Sequence, residues 1–160
     1  MITLRDTLIS SDSQAVRRIV EATAMFRPNE VAVAVELVDE CLSKGADTSG
    51  YHFILADDDK TPIGYVCFGR ITVTLHSYDL YWIVVDPIYQ GHGLGRQLLV
   101  AAEQRIQADG GQQIYIETSG QEVYRSTCHF YDRCGYELVA TIPDFYAPGD
   151  DKLIYVRRFV

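Results

Sequence analysis

The 160-residue sequence has no apolar run near the roughly 18 residues a membrane span requires. Its first residues, Met1-Ile2-Thr3-Leu4-Arg5-Asp6, lack the charged-then-apolar layout of a secretory leader. No membrane partner is expected, and the expected location is the cytoplasm. Cationic residues are scarce. Fourteen Lys and Arg against 22 Asp and Glu leave a formal net charge of -8, which opposes attraction to phosphate backbones, so nucleic acid is not an expected partner. The four cysteines, Cys41, Cys67, Cys128 and Cys134, form no C-x-x-C pair. No metal is expected, and free thiols in a reducing compartment are. Internal repeats, low-complexity tracts and linkers are absent as well, so residues 1–160 are expected to form one domain.

What is present is a globular composition, 48% apolar and 22% charged, on a chain long enough to bury a core. Ile2 to Arg5 alternates like a short strand. Ser11 to Gln14 offers a capping box for a helix carrying Ala15, Val16, Ile19, Val20 and Ala24. After Pro28-Asn29, a second helix is expected over Glu30 to Lys44, with Val31, Val35, Leu37, Val38 and Leu42 apolar and Gly45 as a left-handed cap. Tyr51 to Ala56 and Ile63 to Ile71 read as strands joined by a turn at Asp57 to Lys60. Leu80 to Val85, apolar on both faces, reads as a central strand stopped by Asp86-Pro87. A helix follows over Leu94 to Ala108, ended by Gly110-Gly111, then a strand at Ile114 to Glu117 and a short helix at Thr127 to Cys134. Strands at Tyr136 to Thr141 and Lys152 to Phe159, joined by a loop, close the chain. The order βααβββαβαββ is a mixed α/β sheet with one strand-helix-strand crossover near its centre.

The most informative segment is Val84-Val85-Asp86-Pro87-Ile88-Tyr89-Gln90-Gly91-His92-Gly93-Leu94-Gly95-Arg96, a buried strand turning through glycines into an amphipathic helix. Glycines let a ligand approach the backbone, and the first amides of a helix favour phosphate or pyrophosphate. A Walker loop would need Lys and Ser or Thr after its last glycine, where this chain has Arg96 and Gln97. A dinucleotide fingerprint would need G-x-G-x-x-G, whereas Gly91, Gly93 and Gly95 give G-x-G-x-G.

Gln90-Gly91-His92-Gly93-Leu94-Gly95 matches the Q/R-x-x-G-x-G/A signature of the GNAT superfamily of acyl-CoA-dependent N-acyltransferases, which the sequence resembles. A second segment, Phe130-Tyr131-Asp132-Arg133-Cys134-Gly135-Tyr136, resembles that superfamily's F-Y-x-x-x-G-[FY] pattern. The resemblance implies a GNAT-like fold and acetyl-CoA as co-substrate, bound without a metal. It places the pantetheine arm along the backbone of Val84 and Val85. The loop opened by Gln90 would receive the pyrophosphate on the amides of Gly91, His92, Gly93, Leu94, Gly95 and Arg96.

Acyl transfer to an amine needs a base for the protonated amine and an acid for the departing thiolate. The resemblance assigns the acid to Tyr131. It points to Glu117 as the base, acting through water, because ribosomal-protein N-terminal acetyltransferases of this superfamily carry a glutamate there. Asp79 is the second base candidate, and it shares a strand face with Tyr81, a candidate substrate ligand. His76 has suitable chemistry but no spacing that singles it out, and His92, within the loop, is expected to touch phosphate or solvent rather than to perform catalysis. Cys128-His129 is not expected to be a nucleophile pair, because adjacent helical residues point about 100° apart. The loop from Ile142 to Lys152 brings Phe145 and Tyr146 as acceptor ligands, with Asp144, Asp150 and Asp151 as acids that favour a cationic amine. It resembles the hairpin that contacts the peptide terminus in those same acetyltransferases.

The expected activity is therefore direct acetyl transfer from acetyl-CoA to a primary amine of a small molecule or protein N-terminus. The competing class is a non-catalytic acyl-CoA-binding or sensing domain of the same fold. A second copy of the chain is left open as a partner.

Overall fold

The structure, a computed structural model, describes residues 1–159. Its elements follow the expected order with one short helix added: β1 (Ile2–Arg5), α1 (Asp12–Ala22), α2 (Pro28–Lys44), α3 (Ala46–Ser49), β2 (His52–Asp58), β3 (Thr61–Arg70), β4 (Ser77–Val85), α4 (Leu94–Ala108), β5 (Gln113–Ser119), α5 (Arg125–Arg133), β6 (Glu137–Ala147) and β7 (Asp150–Arg158). The fold is mixed α/β, with strands ordered β1-β2-β3-β4-β5-β7-β6. Among the strand pairs described, only β4 with β5 is parallel, and α4 is the helix that makes that crossover. Among the described residues, no helix is long and apolar enough to cross a membrane. The chain divides into two compact units, Met1–Gly69 with Tyr81–Arg105, and Arg70–Leu80 with the residues from 106 onward.

In the first unit, the buried faces of α1 (Val16, Ile19, Val20) and α2 (Val31, Ala34, Val38) pack with Phe53, Leu55, Tyr65, Cys67 and Val84. The i, i+3, i+4 and i+7 spacing of these residues keeps each set on one helix face. Ala34 belongs to the buried stripe of α2, whereas Leu42, expected there, is exposed. The capping box expected at Ser11 does not form. Asp12, fully buried, instead accepts two guanidinium N–H groups from Arg5 (2.9 and 2.7 Å) and the Ile9 amide (2.7 Å), and a charge-assisted fork outcompetes a hydroxyl cap. At α2 the Glu30 carboxylate accepts the Arg27 amide at 2.8 Å, so the helix starts at Pro28, two residues before the expected boundary. Gly45 leaves α2 at φ 82° and ψ 161°, outside the left-handed helical region expected of it.

The β2–β3 turn is also tighter than expected. Only Asp59 and Lys60 form it, both with positive φ (45° and 71°). Asp58 pairs with Thr61 and Asp57 with Pro62, so both aspartates belong to β2.

In the second unit, Ser77 to Leu80 of β4 pairs with Gln113 to Ile116 of β5, β5 pairs antiparallel with β7, and β7 pairs with β6. The segment expected as an open loop from Ile142 to Lys152 is an extension of the β6–β7 hairpin. Its Pro143 and Asp144 fall where the register shifts, between Ile142 and Ala147, so the ladder absorbs the proline as an irregularity.

Candidate active site

Two constellations carry the expected site residues, one in each unit. In the first unit, β4 ends at Val85 and the Asp86 amide still bonds the Ile63 carbonyl at 2.8 Å. The buried Asp86 carboxylate then accepts the Ile88 amide (3.1 Å) and Arg18 Nη1 (3.0 Å), which fixes the exit of the chain from the sheet. Gly64 on β3 keeps this corner close. A Cβ there would stand 3.1 Å from the Val84 carbonyl oxygen and 3.3 Å from Leu98 Cδ1.

Gly91 and Gly93 adopt φ 81° and 84°, a region L side chains avoid, and a Cβ on either would meet nothing within 4 Å. Backbone conformation, not crowding, therefore demands glycine, and the space before the turn is open. The Gln97 amide closes the first turn of α4 on the Gly93 carbonyl at 3.0 Å. By helix geometry the amides of Leu94, Gly95 and Arg96 are left without intrahelical acceptors, at the positive end of the α4 dipole. His92 and Arg96 are exposed beside them. Gln90 is exposed, and its side-chain amide donates to the Val85 carbonyl at 2.9 Å, bracing the turn. Tyr81, 39% exposed, stands edge-on to Tyr51 at 5.4 Å. The first unit also contains a depression of about 560 Å³ lined by Thr7, Cys41, His52, Phe53, Phe68 and Arg105, and none of the expected site residues lines it.

In the second unit, Asp79 on β4, Glu117 on β5 and Lys152 on β7 form one electrostatic cluster. Lys152 Nζ lies 2.8 Å from the Glu117 carboxylate and 4.3 Å from the centroid of the Phe145 ring. Burial, reinforced by the negative charge of Glu117 and opposed by Lys152, pushes the Asp79 carboxyl up to about 6. Phe145 and Tyr146, half exposed, pack edge-to-face at 5.0 Å on the hairpin. The three hairpin aspartates have structural partners. Asp151 accepts the Asp144 amide (2.9 Å), Asp144 accepts the Gly149 amide (2.7 Å), and Asp150 accepts the Ser119 hydroxyl. His76 is held against the Gly110 carbonyl at 3.2 Å.

Tyr131 lies elsewhere in this unit. It is buried on α5 among Phe130, Tyr136 and Tyr155, with ring centroids 5.6 to 6.0 Å away. Burial foremost holds its phenol well above the ordinary tyrosine range, so it stays protonated at neutral pH. Strand register separates the groups. Ile116 faces Tyr155, while Glu117 faces Ile154, so Tyr155 with Tyr131 and Glu117 with Lys152 lie on opposite faces of the β5–β7 pair. The β4–β5 ladder ends at Leu80 and Ile116, one residue before Glu117.

Comparison with known proteins assigns these parts to a family. The sequence model of an acetyltransferase (GNAT) domain matches residues 49–138, more than half the chain and inclusive of both motifs.

The chain belongs to the GNAT acetyltransferase family.

A protein of Desulfovibrio desulfuricans assigned to the GNAT family has a crystal structure that superposes with a TM-score of 0.97, at 42% identity over 100% of both chains. The N-alpha-acetyltransferase RimI of Mycobacterium tuberculosis is 27% identical over 108 residues, 67% of this chain and 65% of its own. PaiA N-acetyltransferase of Thermoplasma acidophilum, determined in complex with coenzyme A, shares the fold with a TM-score of 0.77 at 16% identity, over 99% of each chain. The chain spans between 25% and 65% of the length of the curated relatives it matches.

Within this GNAT fold, sequence reasoning did not single out Lys152 or Tyr155. Lys152 meets Glu117 only because β7 pairs with β5 in a register that sets Lys152 opposite Ser119. Tyr155 reaches Tyr131, its ring centroid 5.8 Å away. The only sequence signal for either was its place near the start or middle of a strand, which many residues share.

Proposed function

We propose that the protein transfers the acetyl group of acetyl-CoA directly to a primary amine. The turn from β4 to α4 receives the coenzyme's phosphates. Its open face and three free helix amides suit an anion held by main chain. Acetyl-CoA supplies the thioester and leaves as coenzyme A; the chain's own residues handle the protons.

The observation that carries this reading is the glycine turn, whose open face and free amides suit the coenzyme. Tyr131 is a buried phenol that keeps its proton at neutral pH, fit to protonate a departing thiolate. Asp79 carries a carboxyl raised to about 6, mostly ionised at neutral pH yet close enough to it to accept a proton. Tyr131 is accordingly the general acid and Asp79 the general base. Glu117, bound to an ammonium, has the role of attracting the cationic acceptor. Tyr81, Phe145 and Tyr146 supply aromatic surface to the acceptor's carbon frame.

Thermal melting with acetyl-CoA, coenzyme A and NADH tests the coenzyme. A ligand at about 100 times its dissociation constant adds roughly 2.7 kcal/mol. Stabilisation by acetyl-CoA and coenzyme A, followed by thiol release on adding primary amines, is the expected result. Stabilisation by NADH alone would overturn the reading.

A further inference from the structure

We propose that the Glu117 carboxylate and the Phe145 ring form the seat for the acceptor's ammonium group, and that Lys152 fills this seat until an acceptor displaces it. The proposal rests on the acetyl-transfer reading above, in which Glu117 already attracts the acceptor, and adds to it a built-in competitor.

The chain has three lysines. Lys44 and Lys60 are solvent-exposed, the former with 52% of its side chain accessible, whereas Lys152 is 13% accessible. Its ammonium touches a carboxylate at 2.8 Å and an aromatic face at 4.3 Å. A carboxylate joined to a ring face is the arrangement proteins use to bind an ammonium ligand. A bridging role in the hairpin does not account for it. The turn is already closed by Asp144 and Asp151 through their own bonds. Glu117 remains half accessible, and an ion pair with one exposed partner contributes little to stability. The lysine stem is flexible and its ammonium strongly hydrated, so it can withdraw to water when a free amine takes its place. Asp79 on β4 is the other charged group that interacts electrostatically with both Glu117 and Lys152.

Propylammonium is the probe, titrated into the full chain by NMR or calorimetry without acetyl-CoA. Lys152→Met keeps the apolar stem and removes the charge. It is expected to bind propylammonium about tenfold more tightly than the parent, a difference of about 1.4 kcal/mol. Glu117→Gln added to it is expected to abolish the gain, and Phe145→Leu to reduce it. Lys152→Gln repeats the test if methionine lowers the melting temperature. Unchanged or weaker binding in the lysine variants, or a gain that survives Glu117→Gln, overturns the seat. Coenzyme A stabilisation, measured on the same samples, separates the two ideas. Coenzyme bound without a propylammonium gain overturns the seat alone, and no coenzyme binding overturns the acetyl-transfer reading together with the seat as an acceptor site.

Discussion

The turn from β4 to α4 and the hairpin from β6 to β7 both offer polar groups to a ligand, by opposite means. The turn uses main chain. Two glycines at positive φ expose helix amides, and the nearby side chains of Gln90 and Asp86 bond back to hold the backbone. The hairpin uses side chains, with Lys152 set against the Phe145 ring while Asp144 and Asp151 hold the backbone. A site made of main chain tolerates many side chains as long as a few conformations are kept, so it leaves a motif. A site made of side chains gathered by strand pairing leaves almost none.

Substitutions can sharpen that contrast. The largest effect is expected from Tyr131→Phe, which removes the proton donor without changing the turn. Turnover, followed as thiol release, should fall by about 10² to 10⁴ while coenzyme A binding is unchanged. Gly93→Val attacks the turn instead. Its φ of 84° imposes about 1–2 kcal/mol of strain, and tilting the α4 amides should weaken coenzyme A by about tenfold in a calorimetric titration.

Asp79 gives a pH signature. Activity should rise as pH passes about 6, where its carboxyl ionises, and Asp79→Asn should lose that limb along with most turnover. Stability should move the other way. The folded chain holds this proton to about 6 and the unfolded chain only to about 3.8, so this contribution is complete below 3.8 and is lost as pH rises to about 6. Denaturant titrations across that range, on the parent and on Asp79→Asn, would test the slope.

Asp151→Ala separates structure from binding in the hairpin. It should lower stability by about 1 kcal/mol, by orphaning the Asp144 amide, and leave propylammonium affinity as it was. The smallest effect is expected in the core of the first unit, where the buried Tyr65 hydroxyl has no hydrogen-bond partner among the described residues. Tyr65→Phe should raise stability by about 1 kcal/mol or less, read as an increase in melting temperature.

Much of the fold was legible in the sequence because burial imposes periodicity. Leu94, Leu98, Leu99, Ala102 and Ile106 announced α4, and all five are buried. Boundaries were less legible where a distant partner decided them. Ser11 had the composition of a cap, but Arg5 and Asp12 supplied a stronger contact. Pro143 spelled a loop, yet pairing with β7 carried the strand past it, and only Pro148 and Gly149 turn.

The sequence by itself determined the element order, the buried helix faces and the glycine turn, because each depends on residues close together along the chain. Only the tertiary structure decided that Asp79, Glu117, Lys152 and Phe145 meet on one face and Tyr131 with Tyr155 on the other. Those meetings follow from strand register, in which a shift of one residue sends every side chain to the opposite face, and register is fixed by the packing of the whole sheet.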